Sequence, residues 1–174
     1  MYLIREITKE DVKTINLWRN DPELISHLGA AFSYTNEERD NAWYENYLKN
    51  RNTNVRCAIV RESDLKMVGV VYLLGINSIN RSAELGIMIG NKEDRGCGAG
   101  YHAVNEMLRH AFMDLNLNRV SLAVLNENER AIRLYEKCGF TKEGVCRQAR
   151  YKNGAYSDLV MMAILREDWD TLHK

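Results

Sequence analysis

The chain has 174 residues, of which 45% are hydrophobic and 28% charged, a size and composition that fit one folded domain and exclude wholesale disorder. Lys plus Arg (24) balance Asp plus Glu (24), so the net positive charge typical of nucleic-acid and anionic-membrane binders is missing, and neither partner is expected. The longest apolar runs, such as Leu85 to Ile89 and Leu159 to Leu165, fall far short of the roughly 20 residues that span a bilayer. Met1 to Glu10 lacks the apolar stretch of a secretory leader, and Cys57, Cys97, Cys138 and Cys146 form no CxxC pair. A cytoplasmic protein with reduced thiols is expected.

Tyr2 to Ile7 alternates as a short strand. Thr8 followed by Asp11 predicts a helix start ahead of Val12, Ile15 and Trp18, and Asn20-Asp21-Pro22 is expected to stop that helix. Thr35 with Glu38 three residues on reads as a capping box leading into Trp43, Tyr47 and Leu48 at helical spacing. Val55 to Arg61, Met67 to Ile76 and Ser82 to Ile89 then read as strands separated only by polar turns, which predicts an antiparallel meander. A glycine-rich loop, Arg95-Gly96-Cys97-Gly98-Ala99-Gly100, feeds a helix whose Val104, Met107, Leu108, Ala111, Phe112 and Leu115 share one face. Arg119 to Leu125 reads as a strand, and Asn128 to Cys138 as a helix stopped by Gly139. Val145 to Tyr151 and Tyr156 to Leu165 flank Asn153-Gly154, a dipeptide suited to a tight hairpin turn. No linker or repeat interrupts the chain, so residues 1–174 are expected to form a single domain.

Glycines at 96, 98 and 100 between a strand and a helix let backbone approach a ligand and turn unpaired N–H groups outward, which suits a phosphate. Arg95 at the loop entrance adds a donor for charge-assisted hydrogen bonds. The competing reading is a tight turn with no ligand. Gly98, Gly100 and Ala103 also match GxGxxA, with Glu127 where a dinucleotide-binding fold would carry its ribose-binding acid. The preceding meander argues against the parallel sheet that reading requires.

Asn128, Ala131 and Tyr135 are spaced to share one helix face and line a cleft together. The glycine loop, followed by Asn128-Glu129-Arg130-Ala131-Ile132-Arg133-Leu134-Tyr135-Glu136-Lys137-Cys138-Gly139-Phe140, resembles the paired acetyl-CoA motifs of the GNAT N-acetyltransferases. The resemblance extends over nearly the whole chain and is most similar to the RimJ/RimL-type branch, which includes spermidine acetyltransferase-like proteins. Trp18-Arg19-Asn20-Asp21-Pro22 and the Arg147, Tyr151, Asn153-Gly154, Tyr156, Asp158 pattern support membership but not a substrate. The resemblance implies an α+β GNAT fold: a mostly antiparallel mixed sheet, splayed in the middle, with helices on both faces.

The resemblance also implies acetyl transfer from acetyl-CoA, as co-substrate, to a primary amine: a protein N-terminus, a polyamine or an amino sugar. The pyrophosphate would rest on backbone amides from Gly96 through Cys97, Gly98 and Ala99 to Gly100, with Arg95 nearby. The pantetheine would pair with the strand edge Ile87-Met88-Ile89, Asn128 would hydrogen-bond it, and Ala131 would leave it room. Such a transfer needs a neutral amine, a stabilised oxyanion and a proton for the departing thiolate. Tyr135, a phenol with an ordinary pKa of about 10, is the candidate acid; packed core tyrosine is its bland reading. Glu84, alternating with Gly86 and Met88, is the candidate base, against an exposed edge glutamate or proton loss to water. An acyl-CoA-binding module without catalysis is the alternative function.

His102, Glu106 and His110 recur at four-residue intervals, but they lie opposite the apolar face and read as a solvated stripe, so no metal is expected. Glu37, Glu38, Asp40 and Glu45 beside Trp43 and Tyr44 are either an ordinary polar helix face or a receptor for a cationic amine. A homodimer is expected from the family resemblance alone.

Overall fold

A computed structural model describes residues 1–174. The elements in order are β1 (Tyr2–Glu6), α1 (Asp11–Arg19), α2 (Pro22–Ser26), α3 (Glu37–Lys49), β2 (Val55–Arg61), β3 (Lys66–Asn77), β4 (Ser82–Ile89), α4 (Ala99–Arg109), β5 (Arg119–Leu125), α5 (Glu129–Lys137), β6 (Thr141–Lys152), β7 (Ala155–Leu165) and α6 (Arg166–Leu172). The seven strands form one sheet in the order β1-β2-β3-β4-β5-β7-β6. All neighbours are antiparallel except β4 and β5, so the expected meander and closing hairpin are both present.

Alternation along the strands divides the core between the two faces. Cys57, Ile59, Val71, Leu73 and Leu85 pack with Val104, Met107 and Leu108 of α4 and with Phe112 just beyond it, while Ala58, Val60, Val70 and Met88 pack with Ile15 and Tyr47 under α1 and α3. Fully burying a side chain such as Phe112 or Ile59 contributes about 1.5–3 kcal/mol, so both helical layers are anchored by the same strands. α6, which the sequence reading did not anticipate, adds Trp169 to the first core, 5.7 Å from Phe112. The Asp168 carboxylate accepts from Leu165 N–H (3.1 Å) and starts this helix directly from β7.

Two helix starts differ from expectation. Pro22 begins α2 rather than only ending α1: Asp21 caps it by accepting from the N–H groups of Glu23 (3.0 Å) and Leu24 (3.2 Å), and proline suits the first helical turn, where its missing donor costs nothing. Asn36, not Thr35, caps α3 by accepting from Arg39 N–H (3.0 Å). Thr35 is buried because Asn20 grips its backbone on both sides, accepting from its N–H and donating to its carbonyl.

The Trp18 to Pro22 run thus has a structural duty at each position. Trp18 packs against Gly90 so closely that a Cβ there would meet the indole at 2.0 Å, and Arg19 pairs with the fully buried Asp40. At the other end of the chain Asn153 and Gly154 turn the β6–β7 hairpin with φ of +50° and +82°, as the sequence requires. Asp158 accepts from Gln148 N–H (2.7 Å) and stabilises the register shift within β6.

Candidate active site

The parallel β4–β5 pair consists of Ser82, Ala83 and Glu84 facing Arg119, Val120 and Ser121. Beyond Glu84 the two strands part, although β4 stays paired with β3 to Ile89 and β5 with β7 to Leu125. The sheet therefore opens in its middle, and one cavity of about 1190 Å³ runs through the opening. It is lined on the α4–α5 side by the glycine loop, Leu134 and Tyr135, and on the α1–α3 side by Arg19, Trp43, Arg56 and Tyr72.

The open edge of β4 presents backbone groups. Gly90 N–H donates to Val68 O (2.9 Å), so antiparallel alternation directs the backbone groups of Met88, Gly86 and Glu84 toward β3 and those of Leu85, Ile87 and Ile89 into the opening. Arg95 Nε reaches Ile89 O from that side (3.1 Å). Ile87 and Ile89 are thus placed as the strand edge requires. Met88 is not: its backbone faces β3 and its side chain is buried under α1 and α3.

At the glycine loop, Gly96 and Gly98 have φ of +88° and +89°, a region that L side chains avoid, and Gly98 is the residue before α4. The N–H groups of Gly98, Ala99, Gly100 and Tyr101 find no acceptor within the protein. These free donors and the helix dipole fit an anionic pyrophosphate. Cys97 is exposed, its thiol against Glu93 O (3.3 Å), and Ala99 is fully buried. Arg95 spends two of its donors on the carbonyls of Ile89 and Gly90 (both 3.1 Å), bracing the end of β4. Arg130, overlooked in the sequence, lies over Gly96: a Cβ at that glycine would meet its Nη2 at 3.0 Å. Its position two residues after the Asn128 cap is the signal that was there to read.

Asn128 caps α5 by accepting from Ala131 N–H (3.1 Å) and donates to His27 O (2.9 Å). An amide has two lone pairs and two N–H donors, so one of each remains for a ligand. Ala131, Leu134 and Tyr135 line the cavity from α5. Tyr135 is 8% exposed, its ring lies 5.8 Å from Phe140, and its hydroxyl bonds no protein group. Burial, with a smaller effect from Cys138, pushes this phenol up to about 12, so it stays protonated throughout the neutral range.

Across the sheet Glu84 is exposed, lines the cavity and has neither an ion-pair nor a hydrogen-bond partner. Gly86 lies two residues along the same face, and a Cβ added there would meet nothing within 4 Å. The strand register continues the row from Gly86 to Tyr72 on β3 and Arg56 on β2. The Arg56 guanidinium lies 4.8 Å from the Tyr72 ring centre and 4.9 Å from that of Trp43, without a carboxylate partner. Burial lowers its pKa from the ordinary guanidinium value. Of the acids on α3, Asp40 is consumed by Arg19 and Asn16, while Glu37, Glu38 and Glu45 are exposed and do not line the cavity.

The loop after α2, which roofs this end, is held from the other half of the chain. Lys152 Nζ donates to the carbonyls of Ile25 (2.5 Å), Leu28 and Ala30 (2.7 Å), and Arg150 Nε to Gly29 O (3.0 Å). His102 and His110 sit away from the cavity, and His110 Nδ1 bonds Asp114 (2.8 Å).

Residues 2–141 match the acetyltransferase (GNAT) domain family. A spermidine N(1)-acetyltransferase of Vibrio cholerae is 33% identical over 167 residues, covering 95% of this chain and 94% of that protein. A putative ribosomal N-acetyltransferase, YdaF, of Bacillus subtilis is 35% identical over 107 residues, covering 62% and 58%. The crystal structure of the Vibrio cholerae spermidine N-acetyltransferase in complex with CoA and spermine superposes with a TM-score of 0.90 at 30% identity, covering 97% of each chain. The parallel dinucleotide-binding reading of the glycine loop is set aside by the mixed sheet and by these matches.

Proposed function

The chain belongs to the GNAT acetyltransferase family and is an acetyl-CoA-dependent N-acetyltransferase, and from that premise we propose how its residues divide the work. Acetyl-CoA supplies an activated acyl group as a thioester. The free N–H groups of Gly98, Ala99 and Gly100 bind the pyrophosphate, with Arg95 and Arg130 beside them. The open edge at Ile87 and Ile89 aligns the pantetheine by strand-like hydrogen bonds, and a backbone N–H there stabilises negative charge developing on the thioester oxygen. Asn128 steadies the arm with its remaining donor and acceptor, and Ala131 keeps the wall low.

Tyr135 donates its phenolic proton to the departing sulfur. Glu84 accepts the proton of an amine arriving over Gly86, directly or through one water. The single observation that carries this reading is the cavity that joins the two faces: it brings the donor loop, the open strand edge and Tyr135 to one side and Glu84 to the other. Likeness to spermidine acetyltransferases favours a polyamine as acceptor, while the arginines that line the cavity of this chain weigh against one.

The test is release of CoA from acetyl-CoA across primary amines, with identification of the acetylated product. Stoichiometric CoA and N-acetylated amine are expected. Tight acetyl-CoA binding with no amine-dependent release would instead make the protein a binding module.

A further inference from the structure

On the α1–α3 side the cavity is lined by the guanidinium groups of Arg19, Arg39 and Arg56 and the carboxylate of Glu84, with Arg150 and Glu127 by the loop after α2. Arg19 is neutralised by Asp40, and Arg39 is exposed on α3. Arg56 is different: it is half-buried, its Nε is wholly shielded and bonds nothing, and it sits among the rings of Trp43, Tyr47 and Tyr72, with the Tyr72 hydroxyl and Arg19 nearby and no carboxylate partner. The shielded Nε is closed off by its neighbours, so the guanidinium meets the cavity through its terminal N–H groups, which no protein carboxylate or carbonyl occupies and which are therefore open to an acceptor there. CoA phosphates do not answer this need, because Arg56 shares the face of Ala58 and Val60 under α1 and α3, across the sheet from α4 and its glycine loop.

We propose, resting on the transferase reading above, that the acceptor is a primary amine whose molecule also carries an oxyanion, a carboxylate or a phosphate, gripped by Arg56 while the amine lies over Gly86 beside Glu84. Planar guanidinium matches both oxyanions through paired N–H donors, and a polycation would meet uncompensated like charge at the same place. Adjacent strands are about 4.8 Å apart, so the backbones of Gly86 and Arg56 are roughly 10 Å apart across Tyr72. The acceptor therefore has its two charged groups separated by a spacer rather than on neighbouring atoms.

The experiment measures calorimetric binding in the presence of CoA, independent of turnover, with matched amines: ε-aminocaproate against its amide, glucosamine phosphate against glucosamine, and spermidine. The two pairs distinguish carboxylate from phosphate. At least one oxyanion-bearing member is expected to bind about 10- to 100-fold more tightly than its neutral twin, and Arg56→Gln to erase that preference while leaving the twin within a few fold. Arg56→Lys, which keeps the charge, retains part of the preference and guards against misfolding of the first variant. Spermidine binding as tightly as the oxyanion-bearing amines, equal effects of Arg56→Gln on both twins, or no binding by any oxyanion-bearing amine would overturn the proposal. Binding with this preference but without CoA release would overturn the transferase reading alone.

Discussion

Glu84 and Ser121 form the last rung of the parallel β4–β5 pair, and beyond them the strands separate while each keeps its outer neighbour. The opening costs little in hydrogen bonding because β3 and β7 still satisfy one side of each strand. It leaves an unpaired strand edge at Ile87 and Ile89, and it places Glu84 at the apex.

Tyr135→Phe is expected to lower turnover by about 10²- to 10⁴-fold while acetyl-CoA affinity changes by less than a few fold. The hydroxyl bonds no protein group, so its loss leaves the packing against Phe140 intact. Because burial raises this phenol to about 12, the acid form persists below that pH. Wild-type turnover should therefore show no alkaline decline from Tyr135 below about pH 11. Steady-state kinetics across pH check both statements.

Glu84→Gln is expected to reduce kcat/KM at neutral pH by about 10²-fold or more, read by steady-state kinetics. An undiminished kcat/KM would assign the proton to water. The carboxylate has no structural partner, so the melting temperature should stay near that of wild type.

Two glycines separate the two substrates. Gly86→Leu adds a side chain where nothing lies within 4 Å, and the fold should accept it. Acceptor turnover should fall strongly with acetyl-CoA binding retained. At Gly98 space is equally open but φ is +89°, so Gly98→Ala strains the loop by about 1–2 kcal/mol and should weaken acetyl-CoA binding instead. Calorimetric titration with acetyl-CoA distinguishes them.

Lys152→Met removes the ammonium that binds the carbonyls of Ile25, Leu28 and Ala30. The roof of the acceptor end then loosens, so KM for the amine should rise with kcat less affected. Stability should fall by about 1–3 kcal/mol, read from denaturant unfolding.

The local devices of this fold are legible in the sequence. The meander, the helix ahead of Cys138 and the Gly139 stop, with its φ of +94°, follow from short-range pattern and steric rules. One capping expectation went astray because the sequence offers adjacent polar residues, and tertiary contacts chose between them: Asn20 drew Thr35 inward, leaving Asn36 to cap. The acceptor end was hidden for a different reason. Arg56 gains its meaning from Trp43 and Tyr72, and Lys152 from a loop more than a hundred residues away, pairings that no periodicity encodes. Arg130 was in plain view but reads as a surface helix charge until Gly96 is seen beneath it.

The most direct test of the account is a crystal structure of the protein with CoA. The account predicts pyrophosphate on the amides of Gly98 to Gly100, pantetheine along Ile87 and Ile89, and the sulfur within hydrogen-bond reach of the Tyr135 hydroxyl. A thiol end lying outside the β4–β5 opening, or turned away from Tyr135, would contradict it.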